Sequence, residues 1–159
     1  MKIGRKGFTL IELLFIIAVI ILLAISLFII LNPSKRFLDA RNSKRSQDSE
    51  LITDALKAYQ GDHNGDYPAS VKMLTTEKAY TIGTNGNSDC DAGCTTKITA
   101  TSCIDLTTLV TDGYLETIPK DPSTGTDLLT DYYLIKNSTG TVEVGSCDPE
   151  GGAALSVVR

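Results

Sequence analysis

Residues 5–20, RKGFTLIELLFIIAVI, decide how the chain is read, because one side chain among them is out of character. Glu12 is the only charged residue between Phe8 and Leu31, and only Thr9 and Ser26 add other polarity to that run. At 1.5 Å per residue, its 24 residues make about 36 Å of helix, enough to cross a hydrocarbon core about 30 Å thick with some tilt. A core helix of a water-soluble domain does not need to be apolar on every side for so long. A carboxylate in such a span costs roughly 2.5–3.5 kcal/mol on insertion scales, so Glu12 calls for a compensating role.

The run does not read as a removable secretory signal. It is too long, and the polar NPSKRFLDARNSKR that follows offers no small-residue cleavage site. The glycine that marks a candidate cut is Gly7, ahead of the apolar segment, so the anchor stays with the mature chain.

Charge divides the remainder. From Gly61 onward there are six Lys or Arg against fourteen Asp or Glu, a balance that disfavours nucleic-acid binding through this half. Lys35 to Lys57 carries six basic and four acidic residues with interleaved signs. That segment reads either as a solvated helix laced with pairs such as Arg45 with Asp48, or as a surface for headgroups or neighbouring acidic faces. The positive-inside rule sets Lys2, Arg5 and Lys6 against the richer Lys35, Arg36, Arg41, Lys44 and Arg45, and so disfavours export of the distal half.

The cysteines argue the other way. Cys90, Cys94, Cys103 and Cys147 form an even set in a Thr-, Gly- and Asp-rich region beyond the span, the pattern of two disulfides in an oxidising space. Three pairings are open, with Cys90–Cys94 plus Cys103–Cys147 favoured because the longer bridge ties the end of the chain to its middle. The spacing fits no zinc finger or ribbon.

Asn32-Pro33 predicts either a kink in one continuous helix, the favoured reading, or the end of one helix and the start of another. Ile52, Ala55, Leu56 and Tyr59 share one helical face, whereas residues 41–50 hold no large apolar side chain and promise little burial. Gly61 and DHNGDYP stop the helix. Residues 69–102 read as a long loop. Asp105 is a candidate N-cap for a helix of about two turns ending at Gly113, and IPKDPSTG is a turn-rich connection. DYYLIK, NSTG and TVEVG make a hairpin, with ALSVVR as a candidate third strand. Asn137-Ser138-Thr139 satisfies the glycosylation pattern but sits where the hairpin needs its turn. The expected class is α+β: a long helix on a small antiparallel sheet. The single histidine, His63, lies in the helix-stop segment, and C-x3-C is not the redox C-x2-C, so no catalytic constellation emerges.

RKGFTLIELL resembles the class III signal of type IV prepilins: a short basic leader, Gly7, then Phe8, Thr9, Leu10, Ile11 and Glu12 at the head of a long apolar helix. The resemblance implies cleavage between Gly7 and Phe8 by a prepilin peptidase and N-methylation of Phe8. It also implies an assembly salt bridge in which Glu12 attracts the Phe8 amine of a neighbouring subunit. The segment from Leu31 to Pro68 is similar to the amphipathic half of pilin helices, and IPKDP with the closing hairpin to small pilins and major pseudopilins.

The organisation it implies is a leader at 1–7, a membrane and filament-core helix at 8–31, an amphipathic half at 32–60 and a globular head at 61–159. The implied partners are the chain itself as a helical homopolymer, the peptidase, an assembly platform with its ATPase, and the cytoplasmic membrane before export into an extracellular filament. No cofactor, enzymatic activity or direct nucleic-acid binding is expected. Some pseudopilins hold calcium, for which Asp121, Asp127 and Asp131 are weak candidates, turn-forming roles being the commoner explanation. The alternatives are a pseudopilin of a secretion or competence system and a signal-anchored extracytoplasmic binding protein.

Overall fold

The computed structural model describes residues 7–84, 90 and 93–159. The basic leader residues Lys2, Arg5 and Lys6 lie outside them. The chain divides into two compact units, residues 1–37 and 38–159.

In the first unit, α1 runs Leu10–Leu31. Thr9 caps it in extended conformation, its hydroxyl accepting from the Glu12 N–H at 3.3 Å. The described α1 side chains are all exposed, and α1 belongs to the one described helical stretch long and apolar enough to cross a membrane. The favoured continuous helix is divided by a single residue. Pro33 has no N–H to give the preceding turn and disfavours helical geometry in the residue before it. Asn32 takes the left-handed conformation, φ 35°, that asparagine tolerates. Its carbonyl accepts from the N–H groups of Lys35 and Arg36 and so opens α2, Pro33–Asp62.

The second unit is α+β. After α2, Gly65 (φ 88°) donates to the Gln60 carbonyl and closes the helix end. A short α3, Ala69–Lys72, leads to β1, Ala79–Thr81; then come α4, Thr107–Thr111, β2, Tyr132–Lys136, β3, Val142–Ser146, a 3-10 turn at Glu150–Gly152, and β4, Ser156–Val158. The four strands form one antiparallel sheet in the order β1-β2-β3-β4. Leu134 stands opposite Val144 and Tyr132 opposite Ser146, with a turn over Asn137–Gly140. The Asn137 amide donates to Thr141 Oγ1, so the sequon residue serves the turn.

Strand alternation gives the sheet two faces. Tyr80, Tyr132, Leu134, Val142 and Val144 join Ile52, Ala55 and Leu56 of α2 in the main core, which Val71, Leu106 and Leu109 close. Ala79, Tyr133, Ile135 and Cys147 face the other way, into a smaller cluster with Cys94. The sheet thus lies between α2 and the cysteine loop.

Two elements depart from expectation. β1 arises in the stretch read as loop, because Ala79–Thr81 pairs with the edge of β2 and is bridged on its far side by Thr99. Asp105 accepts from the Thr107 N–H at 2.7 Å but stands one residue before the N-cap, which is Leu106, and α4 is shorter than two turns.

Candidate functional site

The amino-terminal site begins outside any helix. Phe8 is 74 % exposed, and a Cβ on Gly7 would meet nothing within 4 Å, so the backbone at the candidate cut is open. Thr9-Leu10-Ile11-Glu12 has the S/T-x-x-E pattern of a capping box, with Thr9 at the cap and Glu12 at the third helical position. Glu12 therefore sits in the first turn, where the peptide dipoles favour negative charge. The sequence reading missed this capping contribution of Thr9, although the pattern was visible.

A second polar constellation lies in the second unit and was not anticipated. Arg45 is fully buried. Its Nε donates to Asp121 Oδ2 at 2.5 Å, and Nη2 to Asp121 Oδ1 at 3.0 Å and Ser123 Oγ at 2.8 Å. Nη1 donates to Asn42 Oδ1 at 3.0 Å and Glu150 Oε2 at 3.2 Å. All five guanidinium donors are thereby engaged. Asp121 Oδ1 also accepts from the N–H and hydroxyl groups of Ser123 and Thr124. Burial pushes the Asp121 carboxyl up, but these donors and the Arg45 charge prevail and hold it down at about 2.

The same helix grips two more elements. Arg41 pairs with Glu150 at 2.7 Å, the larger of the effects that keep the Glu150 carboxyl below its ordinary range. The Asn42 amide binds the Glu150 backbone through both its N–H and its carbonyl. Asp48 accepts from Lys44 and from the buried Tyr132 hydroxyl at 2.9 Å, and burial, with Asp48 second, pushes that phenol above its ordinary range.

Two expectations fall here. Arg45 pairs with Asp121, not Asp48, and residues 41–50 of α2 are solvated on one side only, since Arg45, Asp48 and Ser49 are buried while Ser43, Lys44, Gln47 and Glu50 are exposed. Polar contacts take the place of apolar ones. A signal was available: Arg41, Arg45 and Asp48 continue the Ile52–Ala55–Tyr59 face backwards at helical spacing.

Of the calcium candidates, Asp121 and Asp131 are neighbours, the Asp121 N–H donating to the Thr130 carbonyl, but each of the three is otherwise engaged. Asp121 is held by Arg45, Asp127 pairs with Lys120 at 2.7 Å, and Asp131 is buried with φ 59°. Among the described residues no group of three or more His, Cys, Asp or Glu is placed to hold a metal ion. His63 is half-buried, stacked on Tyr59 with ring centroids 3.8 Å apart, its Nδ1 2.8 Å from the Tyr59 carbonyl oxygen. It is a packed helix-end residue.

The disulfides are Cys90–Cys103 and Cys94–Cys147, which overturns the favoured pairing. The chain after Cys94 lies along the end of β3: the Thr96 N–H donates to the Cys147 carbonyl at 3.2 Å, and the Thr95 hydroxyl to the same oxygen at 3.0 Å. Cys94, not Cys103, is thus placed beside Cys147. The Cys90 carbonyl accepts from Thr81 and Thr99, and its N–H donates to the Thr101 carbonyl, which turns Cys90 toward Cys103. A long bridge does tie the end of the chain to its middle, from a different cysteine.

Compared with protein-family models, curated proteins and solved structures, the chain matches none.

Proposed function

We propose that this chain is the structural subunit of a type IV pilus-like filament, cut after Gly7 and polymerised through α1. The observation that carries the reading is the order of parts at the amino terminus. A basic leader and an open Gly7–Phe8 bond precede a Thr9-capped helix whose single charge, Glu12, stands one turn from Phe8.

Cleavage leaves a protonated amine on Phe8. In the membrane the Glu12 carboxylate offsets that charge and the helix dipole. In a bundle of α1 helices it attracts the amine of an incoming subunit, and a charge that is costly alone becomes tolerable when paired. The exposed apolar sides of α1 serve lipid before assembly and neighbouring α1 helices after it. The head is closed by two disulfides and carries the acidic excess, both of which suit an oxidising, aqueous setting.

The test is cleavage of the full-length chain in membranes by a purified prepilin peptidase, read by intact mass. The expected product begins at Phe8, and Gly7→Val is left uncut. Resistance of the natural sequence, or cutting at another bond, overturns the reading.

A further inference from the structure

The order of the cysteines along the chain differs from the order in which they pair. Cys90, Cys94 and Cys103 lie within fourteen residues, Cys147 follows 44 residues later, and the bonds interleave, first with third and second with fourth. We infer that the head is a substrate of a thiol–disulfide isomerase, a dithiol partner that corrects an early Cys90–Cys94 bond and so speeds native pairing. The inference is independent of the filament reading and holds for any role of the chain.

Contact probability in an unfolded chain falls with about the three-halves power of the separation. Cys94 is four residues from Cys90 and 53 from Cys147, so its early encounters favour Cys90 by roughly 50-fold before chain stiffness is counted. Cys147 reaches its place only when β2 and β3 have paired, since it follows β3 and its N–H donates to the carbonyl of Asp131 just before β2. In the finished head Cys147 is 0 % and Cys90 1 % exposed. Exchange through a thiolate needs access to sulfur, so correction must precede closure of the fold.

The exchange balances without net oxidation. Two disulfide donors first accept two electrons each from four thiols, giving Cys90–Cys94 and Cys103–Cys147. The isomerase thiolate attacks Cys94 Sγ and releases the Cys90 thiolate. Cys90 attacks Cys103 Sγ and releases the Cys147 thiolate. Cys147 then attacks Cys94 Sγ, which forms the second native bond and regenerates the isomerase thiolate.

The test is oxidative refolding of the reduced full-length chain in detergent micelles, in a glutathione buffer, with and without catalytic disulfide isomerase. Thiols are quenched by alkylation at intervals and digested with trypsin. Cleavage after Lys78, Lys97, Lys120 and Lys136 puts Cys90 with Cys94 on one peptide, Cys103 on a second and Cys147 on a third. Cys90–Cys94 leaves the first unlinked, whereas the native bonds join all three peptides, and a further cut before Asp91 separates the native species from the third pairing, Cys90–Cys147 with Cys94–Cys103. Without isomerase the unlinked first peptide should dominate early, and isomerase should speed the three-peptide species by roughly tenfold, a share of the encounter bias above. The double variant C90S/C103S, which has no wrong partner, should form Cys94–Cys147 equally fast in both conditions. The inference is overturned if Cys90–Cys94 never accumulates, if native pairing is as fast without isomerase, or if isomerase accelerates the double variant as much as the natural chain.

Discussion

Replacing Arg45 by methionine removes a fully buried cation and leaves the Asp121 carboxylate buried opposite an apolar side chain. Deleting one partner of a buried ion pair costs about 3–5 kcal/mol, because the remaining charge loses its compensation. Asp121 keeps its Ser123 and Thr124 donors, which puts the expected loss near the lower end, about 3 kcal/mol. For a folding unit of this size that is a fall in Tm of about 12 °C. Thermal unfolding of the full-length chain in detergent, followed by near-ultraviolet circular dichroism, reads it.

The acid response gives a second signature. Asp121 titrates near 3.8 when unfolded and is held at about 2 in the fold, which amounts to about 2 kcal/mol of stability. Since the folded value is the lower, that stability is complete above the unfolded value and is lost as pH falls from about 5 to about 2. Without Arg45 the buried carboxyl favours its proton, so R45M should lose less stability than the natural chain over the same range. Adding Asp121→Leu to R45M should restore more than half of the loss. An R45M Tm within about 2 °C of the natural chain's, or an unchanged acid profile, would refute the assignment of Arg45 as the clasp of α2.

Tyr132→Phe removes the hydroxyl that serves Asp48 and should lower stability by about 1–2 kcal/mol, read as an earlier denaturant midpoint with unchanged slope. Gly145→Ala should be worse than a typical surface change. Its Cβ would lie 2.6 Å from Tyr133 Oη and 2.7 Å from the Leu155 carbonyl oxygen, so β4 must move, and hydrogen exchange of residues 155–159 should accelerate. Glu12→Leu makes the span more apolar. It should leave membrane insertion and cleavage intact while filament yield falls at least tenfold, as quantified by immunoblotting of sheared material.

The architecture could be read where chemistry is local. The apolar run gave α1 by its length, the Ile52–Tyr59 face gave the buried part of α2 by its helical spacing, and the apolar YYLIK and alternating TVEVG segments about the NSTG turn gave the central hairpin. β1 escaped because three residues carry no period, and its pairing with β2 joins positions more than fifty residues apart. The clasp around Arg45 escaped for a related reason. A charged residue among charged neighbours looks solvated until a distant loop supplies Asp121, and apolar periodicity does not register polar burial. The disulfides failed on topology: a bridge from the end of the chain to its middle suits Cys94 as well as Cys103, and only the hydrogen bonds of Thr95 and Thr96 to the Cys147 carbonyl seat Cys94 against Cys147. At the amino terminus the motif was legible, while the Thr9 hydroxyl needed helix geometry to be seen as its cap.

The central claim is a processed subunit in a filament, and the mass of the amino-terminal peptide in filaments sheared from cells expressing the chain tests it most directly. The account predicts that the dominant species begins at N-methylated Phe8 and co-sediments with fibres. An intact leader beginning at Met1, unmethylated and confined to the membrane fraction, would contradict it.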